Sequence, residues 1–407
     1  PEKRSDAHPV LMELMPETYG VMVYQEDVIK VAHHFAGMDL GEADVLRRGM
    51  SGKFRSREEF AKARETFILK ALDKGRKRSL VEEVWRQVES FAGYAFAKGH
   101  SASYAVESYQ SLFLKAHWPL HYMAACINNF GGFYRTEFYV HEARMVGGRI
   151  EAPCLNRGGW EACVDAAQQR IYLGFNLVRG AQAQTVANVI EQRDAHGPYQ
   201  SLEDCIERNG IALEQCLILI RCGGFRFTGK DAKQLQWEAH FLLGQVRKGQ
   251  EEATLFTPDI SRFTLPEFEH NELEKAFDQI ELFGFPLVSP FRLLTAESTR
   301  QLENAVRSEA LSDCIGKTVD VIGYLVTVKE TQTARRERMA FGCFVDVEGQ
   351  WIDTVHFPPS LKQYGFRGRG IYRIRGPVRE EFNCLHVEAL FMEKLAYISD
   401  PRYSEDG

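Results

Sequence analysis

Residues Gly93–Gln110 read GYAFAKGHSASYAVESYQ and lie between two segments with the apolar spacing of buried helices. If a helix begins near Ser101, its polar residues recur at helical spacing and share one face. That face comprises Ser101, Tyr104, Ser108, Ser111 and Lys115, and the apolar face comprises Ala105, Tyr109, Leu112, Phe113 and Ala116. The stretch therefore predicts a helix whose apolar face packs on a core and whose polar face contacts a ligand.

The start of this predicted helix has the chemistry of a phosphate site. Lys98 and His100 lie at its entry, and free N–H groups at a helix N-terminus attract anions. Tyr104 offers a flat ring to a base or sugar. On this stretch alone, close helix packing through Ser and Ala, with a solvated lysine, explains the residues equally well.

A basic run, RRGMSGKFRSR, favours the phosphate interpretation. Arg47, Arg48 and Lys53 surround a Gly-Met-Ser-Gly loop that could wrap a polyphosphate, although the GxxxxGK[ST] pattern is absent. The net charge of the chain is −6, but Asp44–Arg86 holds 13 basic residues against 7 acidic ones. A local basic field matters more for phosphate binding than the total charge.

The composition of the 407 residues, 44% hydrophobic and 26% charged, is that of a folded protein with about two to four domains. No apolar run approaches the roughly 20 residues of a membrane helix. Nine cysteines without a CxxC pair favour a reducing compartment, the cytoplasm. No metal site is predicted, because Pro119 would disturb the helix that His117 and His121 need to act as ligands.

Periodicity divides the chain into helical and β regions. Residues 24–127 and 184–243 show helical spacing, whereas Gly316–Leu395 contains short alternating runs separated by Gly and Pro. About five strands in this length suit a small barrel. Residues 244–270 show no periodicity and predict a linker. The predicted fold class is multidomain α+β, with helical domains followed by a C-terminal β-barrel.

Two long blocks carry a family resemblance. VMVYQEDVIKVAHHFAGMDLGEADVLRRGMSGK, followed by FAGYAFAKGHSASYAVESYQSLFLKAHWP, resembles the fingers domain of the α subunit of bacterial DNA polymerase III, a C-family polymerase. The family's fingers are largely helical and hold the incoming deoxynucleoside triphosphate (dNTP). The resemblance places the triphosphate near Arg47, Arg48 and Lys53, and lines the rest of the pocket with Lys98, His100, Ser101 and Tyr104.

The match to the family pattern FAGYGFNKSHSAAYA is incomplete. Ala95, Ala97 and Gly99 stand where the family has Gly, Asn and Ser, and Ser103 replaces Ala. A polar side chain and a hydroxyl are therefore missing just before the helix.

The resemblance implies four modules: fingers over 1–145, a tandem helix-hairpin-helix (HhH) module over 146–243, a linker with a helix over 244–310, and an OB-fold over 311–400. The first hairpin would grip DNA phosphates through Arg179, Gly180 and Gln182. Its turn lacks the second glycine of the family pattern. A purely structural helix pair is therefore an open alternative.

The OB-fold of the family binds single-stranded template. Here Arg335, Arg336 and Arg338 would lie on one loop, and aromatic residues, several of which must be core, would stack on bases: Phe341, Phe344, Trp351 and Phe357. OB-folds also dock proteins, so this fold does not prove DNA binding.

A clamp-binding peptide of the form Gln-x-x-Leu-Phe often lies in the family's linker. This chain has EATLF, in which Leu255 and Phe256 could fill a pocket on a sliding clamp. Glu252 stands where glutamine is expected. An acidic linker with two incidental apolar residues is an equally valid interpretation.

The resemblance implies a portion of a DNA-directed DNA polymerase that acts with sliding clamp and other replicase subunits. The paired carboxylates that hold catalytic Mg²⁺ belong to a palm domain upstream. They are expected to be absent here, so this portion alone should be inactive and bind no metal. Two alternatives are an error-prone paralogue, suggested by NNFGGFYRTEFYVHEARMVGGRIEAPCLNRGGW, and a non-catalytic nucleic-acid scaffold.

Overall fold

A computed structural model describes residues 8–49, 57–91, 96–249 and 272–403. The chain divides into two compact units, Pro1–Leu114 and Lys115–Gly407. In the described residues, no helix is long and apolar enough to cross a membrane. The module boundaries at residues 145, 243 and 310 stay predictions.

The first unit is helical, as predicted for the fingers. Buried apolar side chains such as Val28, Phe35, Phe67 and Trp85 form its core. The helices are α1 Pro9–Leu14, α2 Gln25–Lys30, α3 Leu40–Arg48, α4 Arg57–Asp73, α5 Arg78–Phe91 and α6 Lys98–His117, the last of which ends in the second unit.

Local capping fixes where α2 and α3 begin. The Asp39 carboxylate accepts from the Glu42 amide at 2.8 Å, and Glu42 accepts from the Asp39 amide at 2.9 Å, a capping box. Buried Asp27 accepts from the amides of Val23 and Tyr24 at 3.0 and 2.9 Å. These bonds satisfy N–H groups that a helix start would leave unpaired.

The predicted helix over Ser101–Ala116 is present as part of α6, but the prediction that its apolar face packs on a core is wrong. No residue of α6 is buried. Tyr109 is 78% exposed and Leu112 is 64% exposed. Helical spacing shows that apolar residues share a face. It does not show whether another segment packs on that face.

The second unit starts with helices around a small sheet. Its sheet order is β1-β3-β2, with β1 parallel and β2 antiparallel to β3. The elements are α7 Pro119–Asn128, α8 Thr136–Met145, β1 Arg149–Glu151, β2 Cys163–Asp165, β3 Arg170–Tyr172, α9 Ala183–His196, α10 Leu202–Asn209, α11 Leu213–Arg221, α12 Ala232–Gly249, α13 Glu272–Phe283 and α14 Ala296–Leu302.

The C-terminal strands pair in a ring. β4 pairs with β5, β5 with β6, β6 with β8, β8 with β7 and β7 with β4, and only the β6–β8 pairing is parallel. This is the strand order of an OB-fold, and the predicted OB-like sheet is confirmed. The elements are β4 Thr318–Gln332, β5 Arg338–Val345, β6 Trp351–His356, α15 Pro358–Gln363, β7 Ile371–Glu381, β8 Cys384–Glu388 and β9 Phe391–Lys394, which pairs with β7.

Alternation along the strands separates a barrel core from an outer face. Phe344, Ile352 and Ile374 point inward and are buried. We call the outward surface of β4, β5 and β6 the outer face. It comprises Thr327, Lys329, Phe341, Cys343, Trp351, Asp353 and Val355.

Helix α8 packs against outward-facing side chains at the Trp351 end of the outer face. Phe138 shares an apolar cluster with Tyr324 and Val345, and the Tyr324 hydroxyl donates to buried Glu137 at 3.1 Å. The Arg144 guanidinium donates to the Leu287 carbonyl at 2.5 Å, and burial lowers its pKa. The barrel and α8 therefore share one core.

Gly376 marks the place where β7 changes partners, from β9 at Arg375 to β8 at Val378. A Cβ at Gly376 would lie 1.8 Å from the Glu388 carbonyl oxygen, a backbone atom that cannot rotate away. We expect Gly376→Ala to destabilise the barrel by about 3 kcal/mol through overpacking. Hydrogen-exchange mass spectrometry of the barrel peptides measures this loss.

Gly365→Ala is the matched control. A Cβ at Gly365 would lie 3.6 Å from the nearest atom, the Leu361 carbonyl oxygen, which is an ordinary contact. Equal protection of the barrel amides in the two variants would show that β7 tolerates a side chain at this crossing.

His356 is fully buried in the barrel, and burial lowers its pKa to about 4. The Thr354 hydroxyl donates to the Gly342 carbonyl at 3.0 Å, so His356 Nε2 donates to that hydroxyl at 2.8 Å. In the described residues Nδ1 has no hydrogen-bond partner. The imidazole is therefore neutral in the folded barrel.

Because the unfolded histidine has a pKa near 6.5, the unfolded chain binds more protons than the folded one between pH 6.5 and about 4. The contribution of His356 to stability is complete above pH 6.5 and falls as the pH drops, by about 3 kcal/mol at most. Urea unfolding across this range should show a steeper pH dependence in the wild type than in His356→Gln. Identical slopes would contradict a buried neutral imidazole.

Candidate functional site

The predicted arginines of the nucleotide site lie at the end of α3 and share one carboxylate. Arg47 contacts Asp44 at 2.8 Å and Arg48 contacts it at 3.0 Å. Arg47 also donates to the Gln25 side-chain oxygen at 2.9 Å. Both guanidinium groups are thus held in place and partly neutralised.

Lys98 begins α6 and is surrounded by acidic groups. Its amide donates to both Glu26 carboxylate oxygens, at 3.0 and 2.9 Å, and its ammonium group pairs with Glu17. The hydrogen bond with Glu17 raises the pKa of Lys98, and the same bond lowers the pKa of Glu17. A carboxylate therefore occupies the helix N-terminus where the sequence predicts a phosphate.

The start of α2 joins the two groups of cations. Gln25 contacts Arg47 through its side chain and donates its amide to the Phe96 carbonyl at 3.0 Å. The next residue, Glu26, caps α6 at Lys98. The structure thus links Arg47 to Lys98 through Gln25 and Glu26, and Arg48 lies beside Arg47 on Asp44. Gln25 and Glu26 were not singled out by any sequence pattern.

The remaining predicted pocket residues lie on the first turns of α6. The His100 and Tyr104 rings pack edge to face with centroids 4.4 Å apart, and Tyr104 is 58% exposed. The Ser101 hydroxyl donates to the Ala97 carbonyl at 2.9 Å. The rings are open to a ligand, whereas this hydroxyl already has a partner within the helix.

The predicted hairpin turn precedes α9 and exposes Arg179, Gly180 and Gln182. Gly180 has φ +81°, a left-handed conformation that suits glycine. Buried Gln215 spans the turn: its oxygen accepts from the Gln182 amide at 2.9 Å and its amide donates to the Gly180 carbonyl at 2.9 Å. The turn is preorganised by Gln215, which sequence spacing does not reveal.

The predicted arginines of the OB-fold lie around the β4–β5 loop. Arg335 and Arg336 are exposed, and in the described part of the chain neither forms an ion pair. Arg338 pairs with Glu330, to which its Nε donates at 3.1 Å. The loop thus presents two exposed cations, with the third neutralised.

The predicted aromatic residues divide between core and surface. Phe344 is fully buried and Trp351 is half-buried, whereas Phe341 and Phe357 are 44% and 43% exposed. Phe341 lies opposite Lys329 on β4 and Val355 on β6. The outer face therefore carries an exposed ring beside a cation.

Phe382, which no sequence pattern marked, forms a two-residue turn with Asn383 between β7 and β8. Both residues have left-handed φ values, and Phe382 is 99% exposed. Turns of this type favour Asn and Gly, so a phenylalanine here is unusual.

The chain matches a model of the bacterial DNA polymerase III alpha subunit finger domain over residues 1–75 and a model of the helix-hairpin-helix motif over residues 147–235. Proteins called DNA polymerase III subunit alpha are similar to most of its length. That of Borreliella burgdorferi is 30% identical over 377 residues, which cover 88% of this chain and 32% of the relative. That of Treponema pallidum is 30% identical over 386 residues, covering 89% and 32%.

The chain belongs to the DNA polymerase III α subunit family. A shorter match to the Thermus aquaticus subunit reaches 34% identity over 236 residues, 56% of this chain and 19% of the relative. The chain thus spans about a third of the length of the relatives that match it along most of its length.

Some features expected of the family lie outside the described residues. These are Lys53 of the nucleotide site and the clamp-binding candidates Glu252, Leu255 and Phe256. Among the described residues, no group of three or more His, Cys, Asp or Glu is placed to hold a metal ion. All nine cysteines are free thiols.

Proposed function

We propose that this chain is the fingers-to-OB-fold portion of a DNA-directed DNA polymerase and that it binds primer–template DNA, single-stranded template and the incoming dNTP during bacterial DNA replication. The observation that supports this most is the outer face of the barrel. There Phe341 and Lys329 lie side by side, near the exposed Arg335 and Arg336. Cations with exposed rings are the usual means of holding single strands.

Duplex DNA is assigned to the hairpin before α9. The first residues of this helix, Ala183 and Gln184, are exposed, no side chain caps the helix, and Arg179 before it is exposed as well. Because Gln215 already accepts from Gln182, phosphate contacts would come from Arg179, Gly180 and the first turn of α9. Such contacts position DNA without reading its sequence.

The nucleotide is assigned to the turn that gathers Arg47, Arg48 and Lys98. Their carboxylate partners, Asp44, Glu17 and Glu26, would exchange with the triphosphate, which supplies more charge and more acceptors. Tyr104 would stack on the sugar or base. The acidic groups would keep the cations compensated until the nucleotide arrives.

Phosphoryl transfer would require paired carboxylates and Mg²⁺ supplied by the rest of the polymerase. The residues described in this chain would bind and orient substrates. A sliding clamp at Glu252–Phe256, other replicase subunits and a cytoplasmic location complete the proposal. The free thiols fit that compartment.

Fluorescence anisotropy with labelled single strands and primer–template DNA tests the DNA-binding proposal. Both ligands should bind with an affinity that falls steeply with salt, because bound cations release counterions from phosphates. Arg335→Ala with Arg336→Ala should weaken single-strand binding about tenfold and reduce the salt slope by about 1.4, since each lost contact contributes about 0.7.

Arg292→Ala with Arg300→Ala is the matched control, since it removes the same charge from exposed residues outside the barrel strands. Equal losses in the two double variants would show that net charge, and not the β4–β5 loop, determines the affinity.

Titration with a fluorescent dATP analogue tests the nucleotide site. Glu17→Gln should strengthen binding by roughly threefold to tenfold, because it frees the Lys98 ammonium group from a competing carboxylate. Lys98→Gln should weaken binding by a similar factor. Glu82→Gln, which breaks a surface pair with Arg78, should leave the affinity unchanged. Weaker binding by Glu17→Gln would contradict the exchange of carboxylate for phosphate.

A further inference from the structure

Exposed aromatic side chains also occupy the loop between α7 and α8. Phe130 is 62% exposed, Phe133 is 79% exposed and Tyr134 is 37% exposed. Three rings exposed within five residues are unusual in a loop, where burial would stabilise each of them. We call Phe130–Tyr134 the aromatic loop.

The aromatic loop borders the outer face of the barrel. The Tyr134 ring lies 6.0 Å from that of Trp351 and 5.1 Å from that of Phe133, measured between centroids. Cys343 and Asp353 of the outer face lie close enough to Tyr134 to add to the rise in its pKa, which is mainly due to burial. The loop therefore continues the outer face at the Trp351 end.

The opposite end of the outer face holds the cations. β5 begins after the loop of Arg335 and Arg336. β6 ends at His356, and the next residue, Phe357, lines the same surface pocket as Arg335. From Trp351 to Phe357 a strand extends about 20 Å. Exposed rings thus occur at the start, middle and end of one continuous surface: Phe133, Phe341 and Phe357.

The aromatic loop is held in a fixed conformation. Phe130 has φ +59°, a left-handed conformation that is costly for a bulky residue. The amide of Gly131 donates to the Cys126 carbonyl at 2.7 Å, and a Cβ at Gly131 would lie 2.6 Å from the Tyr139 ring. Strain retained at an exposed phenylalanine points to a role in contact with a ligand.

We propose that the aromatic loop is a second stacking platform, on which bases of a single strand rest after crossing the outer face from the Arg335 loop. This inference rests on the proposed binding of single strands by the barrel. Phosphates would contact the arginines at one end, and bases would stack on Phe133 at the other. Asp353, exposed beside the loop, disfavours phosphate there and suits base edges.

Anisotropy with oligo-dT of about three and about fifteen nucleotides tests the inference, since only the longer strand spans the roughly 20 Å of the outer face from Arg335 to the aromatic loop. Phe133→Leu should weaken the longer strand roughly fivefold to a hundredfold, the range for one lost stacking contact. It should leave the shorter strand within about twofold. Phe133→Tyr keeps a ring and should restore the affinity.

Trp237→Leu removes an exposed ring from α12 and is the control for a general loss of aromatic surface. Suppose that Phe133→Leu binds the longer strand as tightly as the wild type, while the Arg335→Ala and Arg336→Ala double variant binds it more weakly. This result would overturn the second stacking platform but not the binding of single strands by the barrel. If neither change weakens single-strand binding, the barrel proposal fails as well.

Discussion

The pairing of β4 with two strands at once is the constraint on which the C-terminal half depends. Its first half pairs with β7 and its second half with β5, and Tyr324 takes part in both ladders. An irregularity between Leu325 and Thr327 accompanies the change of partner. This double pairing closes the ring, which decides for every strand which side chains point inward. The exposure of Phe341 and the burial of Phe344 both follow from it.

Sequence patterns predicted the barrel because alternation and turn residues are local signals. They predicted α6 for the same reason, since helical spacing is also local. Sequence patterns could not predict that the apolar face of α6 is exposed, because the segments that bury a helix face are distant in sequence. Gln215, Glu26 and Phe382 were missed on similar grounds: the hydrogen bonds of the first two span 33 and 72 residues. Phe382 can be identified as an unusual turn residue only when the left-handed conformation of its turn is known.

The two candidate sites in the fingers and barrel handle charge differently. Around α6, cations have carboxylate partners, so an incoming anion would gain affinity only by exchanging with them. On the β4–β5 loop, Arg335 and Arg336 face solvent and would attract an anion from a distance. The first arrangement favours selectivity for a highly charged ligand, and the second favours rapid capture of a polyanion.

The core that α8 shares with the barrel has a consequence for recombination between relatives. Exchange of a barrel that starts at β4 would separate Tyr324 and Val345 from Phe138. It would also remove Tyr324 and Arg369 from buried Glu137, which would keep Arg135 as its partner. Removing partners from a buried carboxylate is costly. The barrel and α8 should therefore be exchanged together, although the segments that encode them are far apart in the gene. Chimaeras that respect this block should tolerate sequence divergence elsewhere.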